Sequence, residues 1–358
     1  MPEALPSLVG MRPAEMRSAL APREDAALRA RQIAHHLYRR ATADFAQMTD
    51  LPEAFRSELG RRYRAQPLEV AESLASADGT QKLLVHAGDG EVYECVLLPY
   101  ASRVSCCISS QVGCPMGCKF CATGLGGFDR NLSVGEIVGQ YLVLQRLSPR
   151  RIGHLVMMGM GEPLLNLENV LGALEILHDE VGLSYRHMTI STVGIVPQIR
   201  ALARKALPIH LALSLHSPVD AVRNRLMPVN QKWPVAEVMD AMTEYQRTTG
   251  RKITIEYLLI REVTDTPEQA RELARLVRGV PSVINLIPFN FVATQDGFAR
   301  PERARVRAFR SVLESSGANV TERIERGHDI AAACGQLAGR HAGRFAGRRS
   351  RLVLPLSS

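Results

Sequence analysis

From Arg103 onward the chain repeats one pattern, a short run rich in β-branched residues followed by a longer stretch with helical spacing. The runs are Val104–Ile108, His154–Met158, Met188–Thr192, Ile209–Leu215, Ile253–Leu259, Val283–Ile287 and Val320–Ile324. Strands joined by connections long enough for a helix pair in parallel, and a parallel sheet needs helices over its faces. The alternation therefore predicts repeated βα units around a parallel sheet. Seven runs are too few for a closed eight-stranded barrel and fit an open, partial one. In such folds chemistry gathers at the C-terminal ends of the strands, so the residues just past each run become the first candidates.

Ahead of this repeat, residues 14 to 75 read as helical. Ala27–Tyr38 is amphipathic, and Leu51-Pro52 opens a further helix near Phe55 to Tyr63. Lys82–His86 and Val92–Val96 alternate on either side of Gly88-Asp89-Gly90, a hairpin signature. The expected division is a helical accessory domain at 1–78, a β-hairpin linker at 79–100, a partial barrel at 101–338 and a basic tail at 339–358. At 358 residues, one large domain with a small appendage accounts for the length.

The formal charge of +8 suggests nucleic acid, but its distribution is uneven. Arg340, Arg344, Arg348, Arg349 and Arg351 carry five of those charges in a tail without acids, while residues 1–100 hold 12 basic and 14 acidic side chains. Such a tail could grip phosphates or remain a solvated, disordered end. Seven cysteines, an odd number, do not make a secreted disulfide framework. MPEALPSLVG lacks a signal-peptide pattern and no apolar run is long enough to span a membrane. A cytoplasmic, reducing location is expected.

The first strand run is followed closely by Cys114-Pro115-Met116-Gly117-Cys118-Lys119-Phe120-Cys121. Three thiols so close cannot all pair with one another, and a tight, glycine-bearing loop points them at a shared centre. Structural zinc wants four ligands in paired arrangements, and no second pair or neighbouring histidine completes the set. An iron–sulfur cluster suits thiolates better. The CxxxCxxC spacing with an aromatic before the last cysteine resembles the radical S-adenosylmethionine superfamily, in which the iron without a cysteine chelates the cofactor.

Further strand ends carry polar groups: Gly159-Met160-Gly161-Glu162-Pro163, Ser191-Thr192-Val193-Gly194, Ser214-Leu215-His216 and Pro288-Phe289-Asn290. Singly each is an ordinary turn or a satisfied polar residue, and the glycine pair fails the dinucleotide pattern. Four in succession around one mouth point to a ligand. Cys334, within Asp329–Leu337, and Cys107 read on their own as small buried apolar residues.

Taken together, CISSQVGC with the cysteine loop, GMGEPLLN, ISTVGIVP, SLHSP, NLIPFN and RGHDIAAACGQL resemble, in order across residues 20–338, the RlmN/Cfr family of RNA methyltransferases. The resemblance implies a partial (β/α)6 TIM-like radical S-adenosylmethionine barrel behind a helical RNA-binding domain. It also implies methylation of an adenine carbon that is not nucleophilic: C2 of adenine 2503 in 23S rRNA and possibly adenine 37 of tRNAs, or C8 of the same rRNA adenine in the Cfr branch. The implied cofactors are one 4Fe-4S cluster on Cys114, Cys118 and Cys121, and two S-adenosylmethionine molecules per turnover. The cofactor pocket maps to Gly161, Glu162, Ser191, Ser214, Leu215, His216 and Asn290. Partners would be 23S rRNA, possibly tRNA, and an electron donor such as flavodoxin or ferredoxin, with no membrane and a monomeric chain.

An amidine carbon is electrophilic, so a sulfonium cannot methylate it directly, whereas a thiolate can take the methyl first. By resemblance Cys334 is that thiolate, the cluster generates the radical that activates its S-methyl group, and the base becomes tethered to Cys334. Glu94 would be the proton acceptor for release and Cys107 the resolving thiol, through a transient disulfide with Cys334. Thr321–Gly327 departs from the family's pattern by two glutamates, Glu322 and Glu325, near the expected RNA entrance. A noncatalytic iron–sulfur RNA-binding protein would not need Cys334 or Cys107. A radical enzyme acting on peptides or small molecules would not need this second thiol pair.

Overall fold

All seven runs are strands in the computed structural model, which describes residues 5–86, 89, 91–292 and 297–337. The arginine tail at 339–358 lies outside the described residues, as do Gly88, Gly90 and Ala293. The strands are β1 (Glu69–Ala75), β2 (Gln81–His86), β3 (Val92–Pro99), β4 (Val104–Cys107), β5 (Gln111–Gly113), β6 (Phe128–Asn131), β7 (His154–Met157), β8 (Met188–Thr192), β9 (His210–Ser214), β10 (Ile253–Leu259), β11 (Ser282–Pro288) and β12 (Val320–Glu322). The helices are α1 (Pro13–Ala19), α2 (Ala26–Ala34), α3 (Glu53–Arg62), α4 (Ala122–Gly126), α5 (Val134–Leu147), α6 (Leu167–Ile176), α7 (Val196–Arg204), α8 (Asp220–Leu226), α9 (Val235–Thr249), α10 (Pro267–Leu276) and α11 (Arg303–Ser315).

One sheet runs β1-β2-β3-β4-β7-β8-β9-β10-β11-β12, and from β4 onward every pairing is parallel. This is the expected open radical S-adenosylmethionine fold. Its strands are wholly buried at Leu155, Ile190, Leu211, Leu213, Ile255 and Leu286, as parallel strands covered by helices must be. Helix α5 starts where its capping box places it: Ser133 Oγ accepts from the Glu136 N–H, and the Glu136 carboxylate accepts from the Ser133 N–H at 2.9 Å. Among the described residues no helix is long and apolar enough to cross a membrane.

Helices α1 to α3 form the expected N-terminal unit, but the helical reading of 14–75 overreaches. Glu69–Ala75 is β1, paired antiparallel with β2 across a bulge between Val70 and Glu72. EVAESLA has no strong strand propensity, and pairing with the neighbouring β2 decides its conformation. The hairpin β2–β3 is present, and its second strand pairs antiparallel with β4, so it extends the sheet. The N-terminal segment is fastened to this sheet's helical layer where Gly10 (φ +100°) meets Gly135. A Cβ on Gly10 would lie 2.6 Å from the Gly135 backbone, a distance only a glycine pair permits.

Candidate active site at the strand ends

Strand ends from β7, β8, β9 and β11 and the cysteine loop line one pocket. Gly161 and Glu162 follow β7, Ser191 ends β8, Ser214 ends β9, His216 follows it, and Asn290 follows β11. Cys114, Cys118 and Cys121 contribute one wall and Cys334 another. Apolar side chains, Phe120, Met157, Leu258, Ile287 and Phe289, complete the lining. Leu215 does not join them. It is fully buried in the core, and its carbonyl accepts from Arg223 Nε at 3.0 Å.

The cysteine loop is held at several points. Cys114 N–H donates to the Gly127 carbonyl (2.6 Å), Lys119 N–H to Leu226 at the end of α8 (3.0 Å), and Ala122 N–H to Gly335 beside Cys334 (2.8 Å). Burial pushes the Cys114 and Cys118 thiols up, and each is raised further by its neighbouring cysteine. Among the described residues no three His, Cys, Asp or Glu side chains converge closely enough for a single metal ion. Three soft sulfur donors lining one cavity in the CxxxCxxC spacing suit an iron–sulfur cluster better than structural zinc, which takes its ligands in paired arrangements.

Beyond the sulfurs, the polar groups are fixed by the backbone. Gly161 adopts φ +102°, and a Cβ there would come within 2.6 Å of the Gln111 side chain, so the loop can lie this close only with glycine. Glu162 is 2% exposed; its Oε1 accepts from the Leu164 N–H (3.1 Å) and its Oε2 from the Val193 N–H (2.9 Å). Burial outweighs those bonds and lifts its carboxyl to about 7. His216 sits at φ +61°, with Phe120 packed edge-on at 4.8 Å. Its Nδ1 accepts from the Leu258 N–H (3.0 Å), which leaves Nε2 as the donor, and burial followed by the nearby Arg223 charge lowers it to about 3. A neutral imidazole and a titratable carboxyl thus share the pocket.

Glu162 makes the ligand-free protein pH-sensitive in a defined direction. Its folded-state value of about 7 lies above the ordinary 4.5, so the folded state holds the proton longer. The associated stability is fully present below about 4.5 and is lost as pH rises through 7, amounting to about 3 kcal/mol. Urea unfolding at pH 5 and pH 8 should show that loss, and Glu162→Gln should flatten it. Equal slopes in the two proteins would refute it.

Several residues here carry no sequence signal. Arg223 on α8 is fully buried, donating from Nε to Leu215, from NH1 to Asn230 Oδ1 (2.6 Å), and from NH2 to Val193 (2.6 Å) and Ser214 (3.3 Å). It clamps the ends of β8 and β9. Glu256, 5% exposed on β10, accepts from Asn285 Nδ2 at 2.8 Å and lines the pocket.

A second hollow adjoins the first. Cys107, Cys334, Asn290 and Arg323 line it with Val96, Leu98 and Tyr100, and Cys334, Asn290 and Arg323 are shared by both cavities. Cys107 and Cys334 are both free thiols. Burial, then repulsion from Cys334, pushes Cys107 up to about 12, with Arg323 opposing; burial also raises Cys334, against the pull of Arg323. Asn290 Nδ2 donates to the Cys334 carbonyl (3.3 Å) and fixes its loop over the pocket. Glu94 lines neither cavity. It is 4% exposed, one same-face position along β3 from Val96, and paired with Lys82 (3.2 Å). Of the two departures in the 321–327 segment, Glu325 is paired with Arg300 at 2.6 Å, so its charge does not stand alone at the second hollow; Glu322 is exposed.

The profile of the Radical SAM superfamily matches residues 108–277, and that of the Ribosomal RNA large subunit methyltransferase N-terminal domain matches residues 7–64. A protein of Symbiobacterium thermophilum described as a probable dual-specificity RNA methyltransferase RlmN is 46% identical over 346 residues, 95% of this chain and 93% of its own. One of the same description from Thermus thermophilus is 46% identical over 312 residues, covering 86% of this chain and 88% of its own. The crystal structure of a radical SAM methyltransferase from Sphaerobacter thermophilus superposes with a TM-score of 0.90 at 42% identity, covering 93% of this chain and 99% of that one. Matched over nearly its whole length, the chain belongs to the RlmN family of the radical S-adenosylmethionine superfamily.

Proposed function

We propose that this chain is an RNA methyltransferase that places a methyl group on C2 of adenine 2503 in 23S rRNA, and on adenine 37 of some tRNAs, through S-methylated Cys334. The observation that carries this reading is that Cys107 and Cys334, far apart in sequence, line one hollow that opens beside the cysteine-loop pocket. A radical enzyme acting without a protein-bound methyl has no use for that second thiol pair.

In this reading Cys114, Cys118 and Cys121 hold a 4Fe-4S cluster, and the pocket above them takes S-adenosylmethionine. Glu162 would be the acidic group available to the cofactor's ammonium, Ser191 and Ser214, with hydroxyls 3.4 Å apart, would offer it donors and acceptors, and His216 Nε2 and Asn290 would complete the polar set. When bound, cluster and cofactor supply hydrogen-atom abstraction and one-electron chemistry. The chain's own residues do the rest. The Cys334 sulfur first forms a bond to the sulfonium methyl, whose old bond pair leaves with S-adenosylhomocysteine while the thiol proton goes to solvent. Once the S-methylene carbon has joined the base, Glu94 would take the hydrogen at the base carbon as a proton, while the remaining unpaired electron would return to the cluster that supplied one at the start of the cycle. The Cys107 thiolate then bonds to the Cys334 sulfur, and the pair of the breaking carbon–sulfur bond passes to the methylene carbon, which gains a proton and becomes the methyl group. An unstacked adenine extruded into the hollow fits recognition of a structured RNA loop.

The test is to reconstitute the cluster without oxygen, supply rRNA and tRNA lacking the modification, and identify the product nucleoside by mass and retention. 2-Methyladenosine is expected, and Cys107→Ala should accumulate covalently attached RNA. 8-Methyladenosine would overturn the regiochemistry, and absence of product on both RNAs would overturn the target.

A further inference from the structure

We propose that Lys82 is a positioning residue for the release step, holding the Glu94 carboxylate on the sheet face that carries Cys107 while tying it to the loop that carries Cys334. The inference rests on the proposed role of Glu94. Lys82 and Glu94 are 5% and 4% exposed, and Lys82 Nζ lies 3.2 Å from Glu94 Oε1. The same ammonium donates to the carbonyl of Ala331, also at 3.2 Å, three residues before Cys334.

Strand register puts these groups on the reactive face. Val96 lies opposite Lys82 on one side and Cys107 on the other, and directly opposed side chains share a face. Glu94, two residues before Val96, shares it too. Val96 and Cys107 line the hollow with Cys334, so the ion pair is the next element along that face. A buried ion pair is weak support for stability, because apolar residues of similar volume serve as well or better; folding alone does not account for it. The Cys334 loop is additionally bonded to the β1–β2 turn. Ser76 Oγ donates to Asp329 (2.6 Å) and Gly327 N–H to Asp78 (3.1 Å), so Lys82 joins a base and a thiol loop that are already in register.

The test uses the full-length, cluster-loaded enzyme with an unmodified rRNA transcript and the variants Lys82→Met, Lys82→Gln, Lys82→Arg and Glu94→Gln. Lys82→Met should methylate Cys334 at close to the wild-type rate, accumulate RNA covalently attached to protein, and lose about tenfold to a hundredfold in kcat at unchanged KM for RNA. Lys82→Arg should recover part of that loss. If Lys82→Met is poorly folded, Lys82→Gln, which retains a hydrogen-bond donor, should show the same accumulation. Wild-type turnover in Lys82→Met, or equal losses in Cys334 methylation and product, would overturn the proposal. Glu94→Gln separates the two readings: if it traps no adduct the assigned base is wrong, and if it traps adduct while the Lys82 variants do not, only the role of Lys82 falls.

Discussion

Replacing Cys334 with alanine is expected to lower methylated RNA by at least about a thousandfold, while the protein keeps its fold, its cluster and its affinity for S-adenosylmethionine. The physical reason is the mismatch between donor and acceptor. A sulfonium methyl needs an electron pair, and the proposed target, an adenine amidine carbon, has none to give, so on that proposal no placement of cofactor and base compensates for a missing sulfur. Alanine removes one heavy atom from a half-buried position whose backbone is independently fixed by Asn290 and, through Gly335, by Ala122, so little else should move. The check has two readings: methylated nucleoside, and the mass of the peptide spanning Cys334 after incubation with S-adenosylmethionine. Product formation by Cys334→Ala above a few per cent of wild type would end the account of a protein-bound methyl.

The second large effect is predicted at Arg223, which lines neither cavity. Arg223→Met should destabilise the protein by about 3–5 kcal/mol, because it strips donors at once from the buried Leu215 carbonyl, from the partly buried Val193 and Ser214 carbonyls and from the buried Asn230 side chain. It should also abolish tight cofactor binding, since those carbonyls belong to Val193, Ser214 and Leu215, which set the strand ends where Ser191, Ser214 and His216 stand. Arg223→Lys should not rescue it. The guanidinium sends Nε, NH1 and NH2 in three fixed directions, whereas an ammonium on a flexible stem cannot reach all of them. Denaturant unfolding and equilibrium binding of S-adenosylmethionine decide the matter, and a wild-type midpoint with wild-type binding would show that the clamp is dispensable.

Periodicity and resemblance made different parts of this molecule legible. The parallel strands announced themselves as short runs rich in β-branched residues, such as Met188–Thr192 and Ile253–Leu259, separated by connections long enough for a helix. The cysteine loop was equally plain, since three thiols within eight residues admit few other uses. β1 was misread as helix because its seven residues are short and mostly exposed, and pairing with β2 rather than propensity holds them extended. Leu215 was carried into the cofactor pocket with its neighbours Ser214 and His216, yet successive residues point to different sides, and it packs into the core.

Arg223, Glu256 and Lys82 were not found at all. A single charged residue within a helix or strand reads as solvent-facing, and only tertiary packing reveals that it is enclosed. For Lys82 there was a usable signal: once the hairpin is recognised, its register sets a lysine and a glutamate on one face of adjacent strands. Cys107 and Glu94 came from resemblance alone, because a lone thiol or carboxylate in a strand has no pattern of its own.

The bonds joining Ser76 to Asp329 and Lys82 to Ala331 close separations of 253 and 249 residues. Loop closure over such lengths comes late in folding, after the local βα units have formed. A nascent chain therefore emerges with its early hairpin waiting for a segment not yet made. Until that segment docks, the face of β2 and β3 that carries Lys82 and Glu94 lacks the Cys334 loop that packs on it.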